Sequence, residues 1–301
     1  MTNEQRLKNL EVPEGKADVV LDTDTFNEID DQFALAYLLR SSDKLSTKAI
    51  YAAPFFNQHS TSPADGMERS YEEIKKVLAL MNEELPVYKG SDKYLPDEAT
   101  AVESPAANDL IERARLYTPE KPLYVVAIGA ITNVASALIK APEIAENIVI
   151  VWLGGNARHY HDTKEFNMMQ DIAAARVVMQ SNAPFVQLPC MGIVSSFTVS
   201  APELEFWLAD KNPLADYLAR NTIKEANAYA SGKPWTRVIW DVTAVAWLLN
   251  DKNRFMLSRI EKTLLPSYDN KYEESTDTDM RYVYHIWRDS LMEDLIKKIL
   301  K

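Results

Sequence analysis

Apolar and polar positions follow two rhythms along the first two-thirds of the chain. Short apolar runs, each about strand length, stand at 16–24, 47–54, 86–90, 122–129, 147–155 and 184–189. Between them, at 32–39, 67–82, 106–117, 133–140 and 171–180, apolar residues recur at helical spacing. The runs are rich in Val and Ile, as strands buried on both faces require, so they predict a parallel sheet covered by helices on each side. Beyond residue 200 the pattern is more helical, over 202–209, 213–229, 241–249 and 289–300, with a short strand reading at 238–240. The polar stretch 267–280 reads as a long loop or surface excursion. No repeat, linker or low-complexity tract divides the chain. The expectation is therefore α/β: a single domain over 1–301 with a mostly parallel, twisted sheet flanked by helices, and 251–301 as a C-terminal helical extension.

Composition narrows the function classes. With 301 residues, 47% of them hydrophobic and 26% charged, the chain can close a sizeable core. A net charge of -11, from 44 acidic and 33 basic residues, argues against a nucleic-acid partner, because phosphate contact needs concentrated Lys and Arg. The first twenty residues lack the apolar centre of a signal peptide, and no apolar run is long enough for a membrane span. The single cysteine, Cys190, forbids an internal disulfide and fits a reducing compartment, which makes a cytoplasmic location the default. Only 8 glycines are present, and none forms the dinucleotide-binding G-x-G-x-x-G, the Walker loop or the G-x-S-x-G elbow.

Chemistry concentrates just after the first apolar run. Asp22, Asp24, Asp30 and Asp31 fall within ten residues, where the first expected strand ends and the next helix begins. Ligands bind at that edge of an open α/β sheet. Carboxylates gathered there repel one another unless a cation or a proton intervenes. Oxygen ligands without Cys or clustered His suit Ca²⁺ or Mg²⁺ rather than Zn²⁺. A metal so held can carry a water while a neighbouring carboxylate takes its proton. The plainer alternative is a helix cap with a solvated acidic loop.

The run Asp22-Thr-Asp-Thr-Phe-Asn-Glu-Ile-Asp-Asp31 resembles the amino-terminal signature of the inosine–uridine-preferring nucleoside hydrolases, usually Asp-Thr-Asp-Pro-Gly-x-Asp-Asp. Thr25-Phe26 replaces Pro-Gly here, and two residues are inserted before the Asp pair. Further similarities follow in family order. They are Asn57 after the second strand, Pro86-Val-Tyr-Lys-Gly90, Ala127-Ile-Gly-Ala-Ile-Thr-Asn-Val-Ala135, Gly154-Gly-Asn156, Glu165-Phe-Asn167 with Asp171, and Trp240-Asp241 where relatives typically carry His-Asp. The resemblance covers about residues 18–250 and implies a nucleoside-hydrolase-like fold with a Ca²⁺ cofactor. It implies Asp24, Asp31, Asp241 and a backbone carbonyl at Ile131 or Thr132 as calcium ligands. Asp24 becomes the general base, Asp22 a structural residue, and Asp30, Asn57, Asn156, Glu165 and Asn167 contacts to the substrate.

The implied reaction is hydrolysis of the N-glycosidic bond of a ribonucleoside to base and ribose, as in nucleoside salvage. Trp240 cannot supply an acidic proton, but it can stack on a flat base, which favours purine nucleosides. Two other readings stand beside this one: hydrolysis of a modified or non-nucleoside pentoside, and a catalytically silent sugar- or nucleoside-binding protein. Plainer roles also exist for single residues. Asn57, Asn156 and Asn167 suit loop capping, Thr132 and Asp241 suit helix N-caps, Glu165 suits the surface, and Trp240 suits core packing. His159 and His161 with Asp162 make a poor zinc site, since only 4 histidines exist and no Cys accompanies them. Those histidines, Tyr229 and Arg237 remain candidates for extra ligand contacts, and Cys190 reads as a buried, inert thiol. The aromatic ladder Tyr282-Val-Tyr-His-Ile-Trp287 either packs the C-terminal segment on the body or lines a homo-oligomer interface. The expected partner is a small-molecule nucleoside, with neither nucleic acid nor membrane.

Overall fold

A computed structural model describes residues 1–273 and 275–301. The six apolar runs become β1 (Ala17–Thr23), β2 (Leu45–Ala52), β3 (Val87–Lys89), β4 (Leu123–Ala127), β5 (Ile148–Leu153) and β6 (Phe185–Leu188). Four strands follow: β7 (Thr198–Ser200), β8 (Thr236–Val238), β9 (Met256–Pro266) and β10 (Tyr272–Ile286). The main sheet has eight strands in the order β3-β2-β1-β4-β5-β6-β10-β9, and β7 pairs with β8 alone. All neighbours in the main sheet are parallel except β9, which runs antiparallel to β10.

The helices are α1 (Asn3–Asn9), α2 (Asp30–Leu39), α3 (Pro63–Met81), α4 (Pro105–Ala114), α5 (Thr132–Lys140), α6 (Phe166–Gln170), α7 (Ile172–Gln180), α8 (Ala201–Trp207), α9 (Pro213–Ala230), α10 (Val242–Trp247) and α11 (Arg288–Ile299). They cover both faces of the sheet. Val19 and Leu21 of β1 pack among residues of α2, α3, α10 and α11, while Val20 packs among residues of α4, α5 and α7. This period-two division explains why the central strands read as continuous apolar runs. Every residue of α2 is buried, Asp30 and Asp31 included.

The strand order reverses between β1 and β4. Chain therefore leaves these two adjacent strands toward opposite faces, opening a crevice at their carboxyl ends. That crevice receives the acidic run.

The C-terminal segment is not the helical extension expected. Residues 256–286 form an antiparallel hairpin whose second strand adds to β6 in parallel (Arg281↔Val186), and helix is confined to α11. The polar stretch 267–280 is thus the hairpin turn and the first half of β10 rather than a loop. Its strand character is masked because this half of β10 pairs with β9 alone, meeting β6 no earlier than Arg281, and so needs no apolar continuity. The ladder at 282–287 packs the segment on the body through buried Tyr282, Val283 and Ile286, with Tyr284 and Trp287 outside.

Gly66 shows how closely α3 is seated on the loop after β2. A Cβ there would stand 2.0 Å from the Phe55 carbonyl oxygen, a backbone atom with little freedom to yield. Gly66→Ala should destabilise the fold by about 1–3 kcal/mol, the usual cost of overpacking. Urea unfolding checks this, and a loss under about 0.5 kcal/mol would mean that α3 does not sit there.

Candidate active site

The site grows from the end of β1. Asp22 Oδ1 accepts a hydrogen bond from Asn133 Nδ2 at 2.8 Å, and Asn133 Oδ1 in turn accepts from Ser91 N at 2.7 Å. This chain of bonds ties β1, the start of α5 and the loop after β3 together beneath the cavity. The next turn closes where Asn27 N donates to the Asp24 carbonyl at 2.7 Å. Asp30 and Asp31 then open α2, where free N–H groups and the helix dipole favour carboxylates. Thr23 Oγ1 donates to Asp31 Oδ1 at 2.5 Å, and Trp240 N donates to Asp30 Oδ2 at 3.0 Å. Asp241 enters from the residue that precedes α10.

Carboxylate oxygens of Asp30, Asp31 and Asp241 lie within 4.8 Å of one another. Both oxygens of Asp24, Oδ1 of Asp30 and Oδ2 of Asp22 are buried without a hydrogen-bond partner. Burial and mutual repulsion hold the carboxyls of Asp24, Asp31 and Asp241 well above the ordinary carboxylate range. Burial pushes Asp22 up to about 7, opposed by the bond from Asn133. Glu28 is also raised to about 7, by burial and Asp30, against the pull of Arg237. Buried acids with orphaned oxygens favour positive charge beside them, and their hard oxygen donors fit a Ca²⁺- or Mg²⁺-type ion.

The opposite wall comes from β4, β5 and α6. Glu165 caps α6, accepting from Asn167 N at 2.9 Å, Met168 N at 3.0 Å and Gly155 N at 2.8 Å. Asn167 Nδ2 donates to the carbonyls of Ile128 (3.1 Å) and Leu153 (3.0 Å), which fixes its amide between two strand ends. Asn156 spans Asp162 and Met191 through its side-chain amide. These groups and the acidic cluster enclose one cavity of about 220 Å³.

Of the residues singled out in the sequence, Asp24, Asp30, Asp31, Asn156, Glu165, Asn167, Trp240 and Asp241 line this cavity. Three do not. The Ile131 carbonyl accepts from Ala135 N inside α5, and Thr132 Oγ1 donates to Asp171 at 2.7 Å, so both are committed to the helix start. Ile128, three residues earlier, does line the cavity, and its carbonyl accepts from Asn167 Nδ2. Asn57 stands behind the wall, donating to Asn27 Oδ1 at 2.5 Å. Cys190 is a buried lining residue whose thiol is pushed up by burial and by Glu165. His161 is exposed beside Asp162, and none of the histidines lines the cavity. Sequence reasoning missed Asn27, Glu28 and Lys164 in the lining. The inserted turn was the available signal for Asn27 and Glu28, since extra residues beside a site must go somewhere.

Carboxylates facing amides across a small crevice at a sheet's switch point suit an α/β protein to a polyhydroxylated ligand. The comparisons take this further. The sequence model described as "Inosine-uridine preferring nucleoside hydrolase" matches residues 19–282, and the chain belongs to that family, whose members cleave the N-glycosidic bond of ribonucleosides. The pyrimidine-specific ribonucleoside hydrolase RihA of Escherichia coli O127:H6 is 25% identical over 296 residues, covering 88% of this chain and 89% of that one. Among solved structures, the purine-preferring ribonucleoside hydrolase from Gardnerella vaginalis superposes with a TM-score of 0.73 at 20% identity, over 94% of this chain and 98% of that one. The type III effector XopQ, solved with adenosine diphosphate ribose, gives a TM-score of 0.72 at 17% identity over 100% and 99% of the two chains. Among the described residues no helix is long and apolar enough to cross a membrane.

The raised carboxyls have a consequence for stability. Burial pushes the Asp22 and Glu28 carboxyls up to about 7 in the folded protein, above the ordinary carboxylate range. The folded state then binds more protons than the unfolded one, so their contribution is full below the unfolded values and is lost as pH rises through about 7. Metal-free protein should melt at a lower temperature at pH 8 than at pH 5.5, and a divalent cation should restore more of the loss at pH 8. Differential scanning fluorimetry with and without chelator reads this directly. The fall should shrink in Asp22→Asn, and a metal-free protein that gains stability from pH 5.5 to 8 would contradict the assignment.

Proposed function

We propose that the chain hydrolyses ribonucleosides with one Ca²⁺ held by Asp24, Asp31 and Asp241 and by main chain at Ile128, with Asp24 also serving as general base. The observation that carries this reading is the pair of unpartnered Asp24 oxygens, buried on the wall of a cavity that also presents Asp31 and Asp241. Asp30 lies as close to Asp31 and Asp241 as a ligand would. Its Oδ2 is already taken by Trp240 N, leaving Oδ1 for a metal or a ribose hydroxyl. When bound, the cation supplies Lewis acidity toward water and positive charge beside the sugar hydroxyls.

The chain's own groups do the rest. Asp24 takes the proton of the attacking water at its free carboxylate oxygens. The carboxylate-rich wall favours the positive charge that builds on the ribose as the C1'–N bond lengthens. Asn167, fixed by the carbonyls of Ile128 and Leu153, and Glu165, fixed by three backbone N–H groups, orient the sugar. Trp240 is half-buried on the same cavity and offers its ring to the base, which favours purine nucleosides. Likeness to a structure solved with adenosine diphosphate ribose keeps a larger ribose-bearing substrate as the second reading. A role in nucleoside salvage follows if free nucleosides prove to be the substrates.

Two measurements test the assignment. Asp24→Asn should lower kcat on its best nucleoside by at least about 10²-fold, the usual worth of a general base. A variant within about threefold of wild type would remove Asp24 from that role. Calorimetric titration of stripped protein should show a single Ca²⁺ site that Asp31→Ala abolishes and His161→Ala leaves intact. The reverse pattern would overturn the ligand set.

A further inference from the structure

A neutral nucleobase leaves C1' with the bonding electron pair and becomes an anion unless an acid protonates it. All 4 histidines of the chain lie outside the cavity lining. Trp240 stands before Asp241 in the lining, and an indole N–H donates hydrogen bonds without giving up its proton. The Cys190 thiol is held protonated by its buried, acidic surroundings.

What the lining offers instead is negative charge and an aromatic face. Asp24, Glu28, Asp30, Asp31, Glu165 and Asp241 oppose the single lysine, Lys164. Glu28 rides on the inserted turn. Its Oε2 accepts from Arg237 at 2.8 Å, and Oε1 has no protein partner among the described residues. Arg237 offsets part of this charge, and Glu28 and Trp240 line the same cavity.

We propose that the preferred substrates are ribonucleosides whose base is already cationic, such as an N-alkylated purine or a pyridinium riboside. This rests on the hydrolase reading above. Water oxygen bonds to C1' and the C1'–N bond breaks. The electron pair returns to the ring and cancels its charge, and the proton of the water passes to Asp24. The base departs neutral, so no acid is needed. Before the step, Trp240 attracts the cationic ring through its π face and Glu28 through its free oxygen.

The test is kcat/KM for ribose release at pH 8 from five substrates: guanosine, 7-methylguanosine, uridine, nicotinamide riboside and p-nitrophenyl ribofuranoside, the last a good leaving group without a cation. We expect 7-methylguanosine to exceed guanosine, and nicotinamide riboside to exceed uridine, by at least about tenfold. Glu28→Gln should cost the two cationic substrates at least about fivefold more than it costs the nitrophenyl riboside. Ratios below these, or a Glu28→Gln loss confined to guanosine and uridine, would overturn the proposal; the second result would make Glu28 the missing acid. If no substrate releases ribose, the hydrolase reading itself falls.

Discussion

Everything near the crevice answers to one constraint: five aspartates are buried where an apolar sheet ends. Asp22, Asp24, Asp30, Asp31 and Asp241 are each no more than 4% exposed. Taking a single carboxylate out of water is costly, and its neighbours add repulsion in a medium that screens poorly. The surroundings offset this only in part. Asn133 serves Asp22, Thr23 serves Asp31, the Trp240 amide serves Asp30, and the start of α2 adds its dipole. Asp24 gets none of these, and both its oxygens are left without a partner.

The far wall is rigid for a different reason. Glu165 is held by three backbone donors and Asn167 by two backbone acceptors, so neither side chain is free to reorient. The C-terminal hairpin braces this wall from behind. Tyr272 Oη donates to the Asn156 carbonyl at 3.1 Å and accepts from Gln187 Nε2 at 2.9 Å, and Arg158 N donates to Tyr282 Oη at 3.1 Å. The approach is close enough to require glycine. Gly155 has φ of +75°, and a Cβ there would stand 2.4 Å from the Tyr272 hydroxyl.

How legible this was depends on whether a residue's role is local. The strands and the acidic run could be read because apolar period and carboxylate clustering are properties of short segments. Asp241, more than two hundred residues away, needed the resemblance. Ile131 and Thr132 lie at the start of α5, off the cavity lining, because a Thr-Asn pair signals both a helix start and a turn lining a site; Ile128 lines the cavity. Asn57 likewise lies off the lining, bonded to Asn27, which is part of it. The hairpin stayed hidden because its outer strand, an exposed and charged edge, lacks the apolar continuity of the central ones.

The division between shared floor and private rim also explains why specificity does not pass from relatives to this chain. One relative is pyrimidine-specific and another purine-preferring, yet both match nearly the full length. What the solved relative shares with this chain is the fold. The cavity carries other groups besides its acids and amides: Glu28 and Trp240 line it, and Arg237 is bound to Glu28. Such positions lie on loops, where length and residue type change without cost to the core. Selection for a new substrate therefore acts on the rim, and a substrate assignment has to be argued from the rim's own charges and rings.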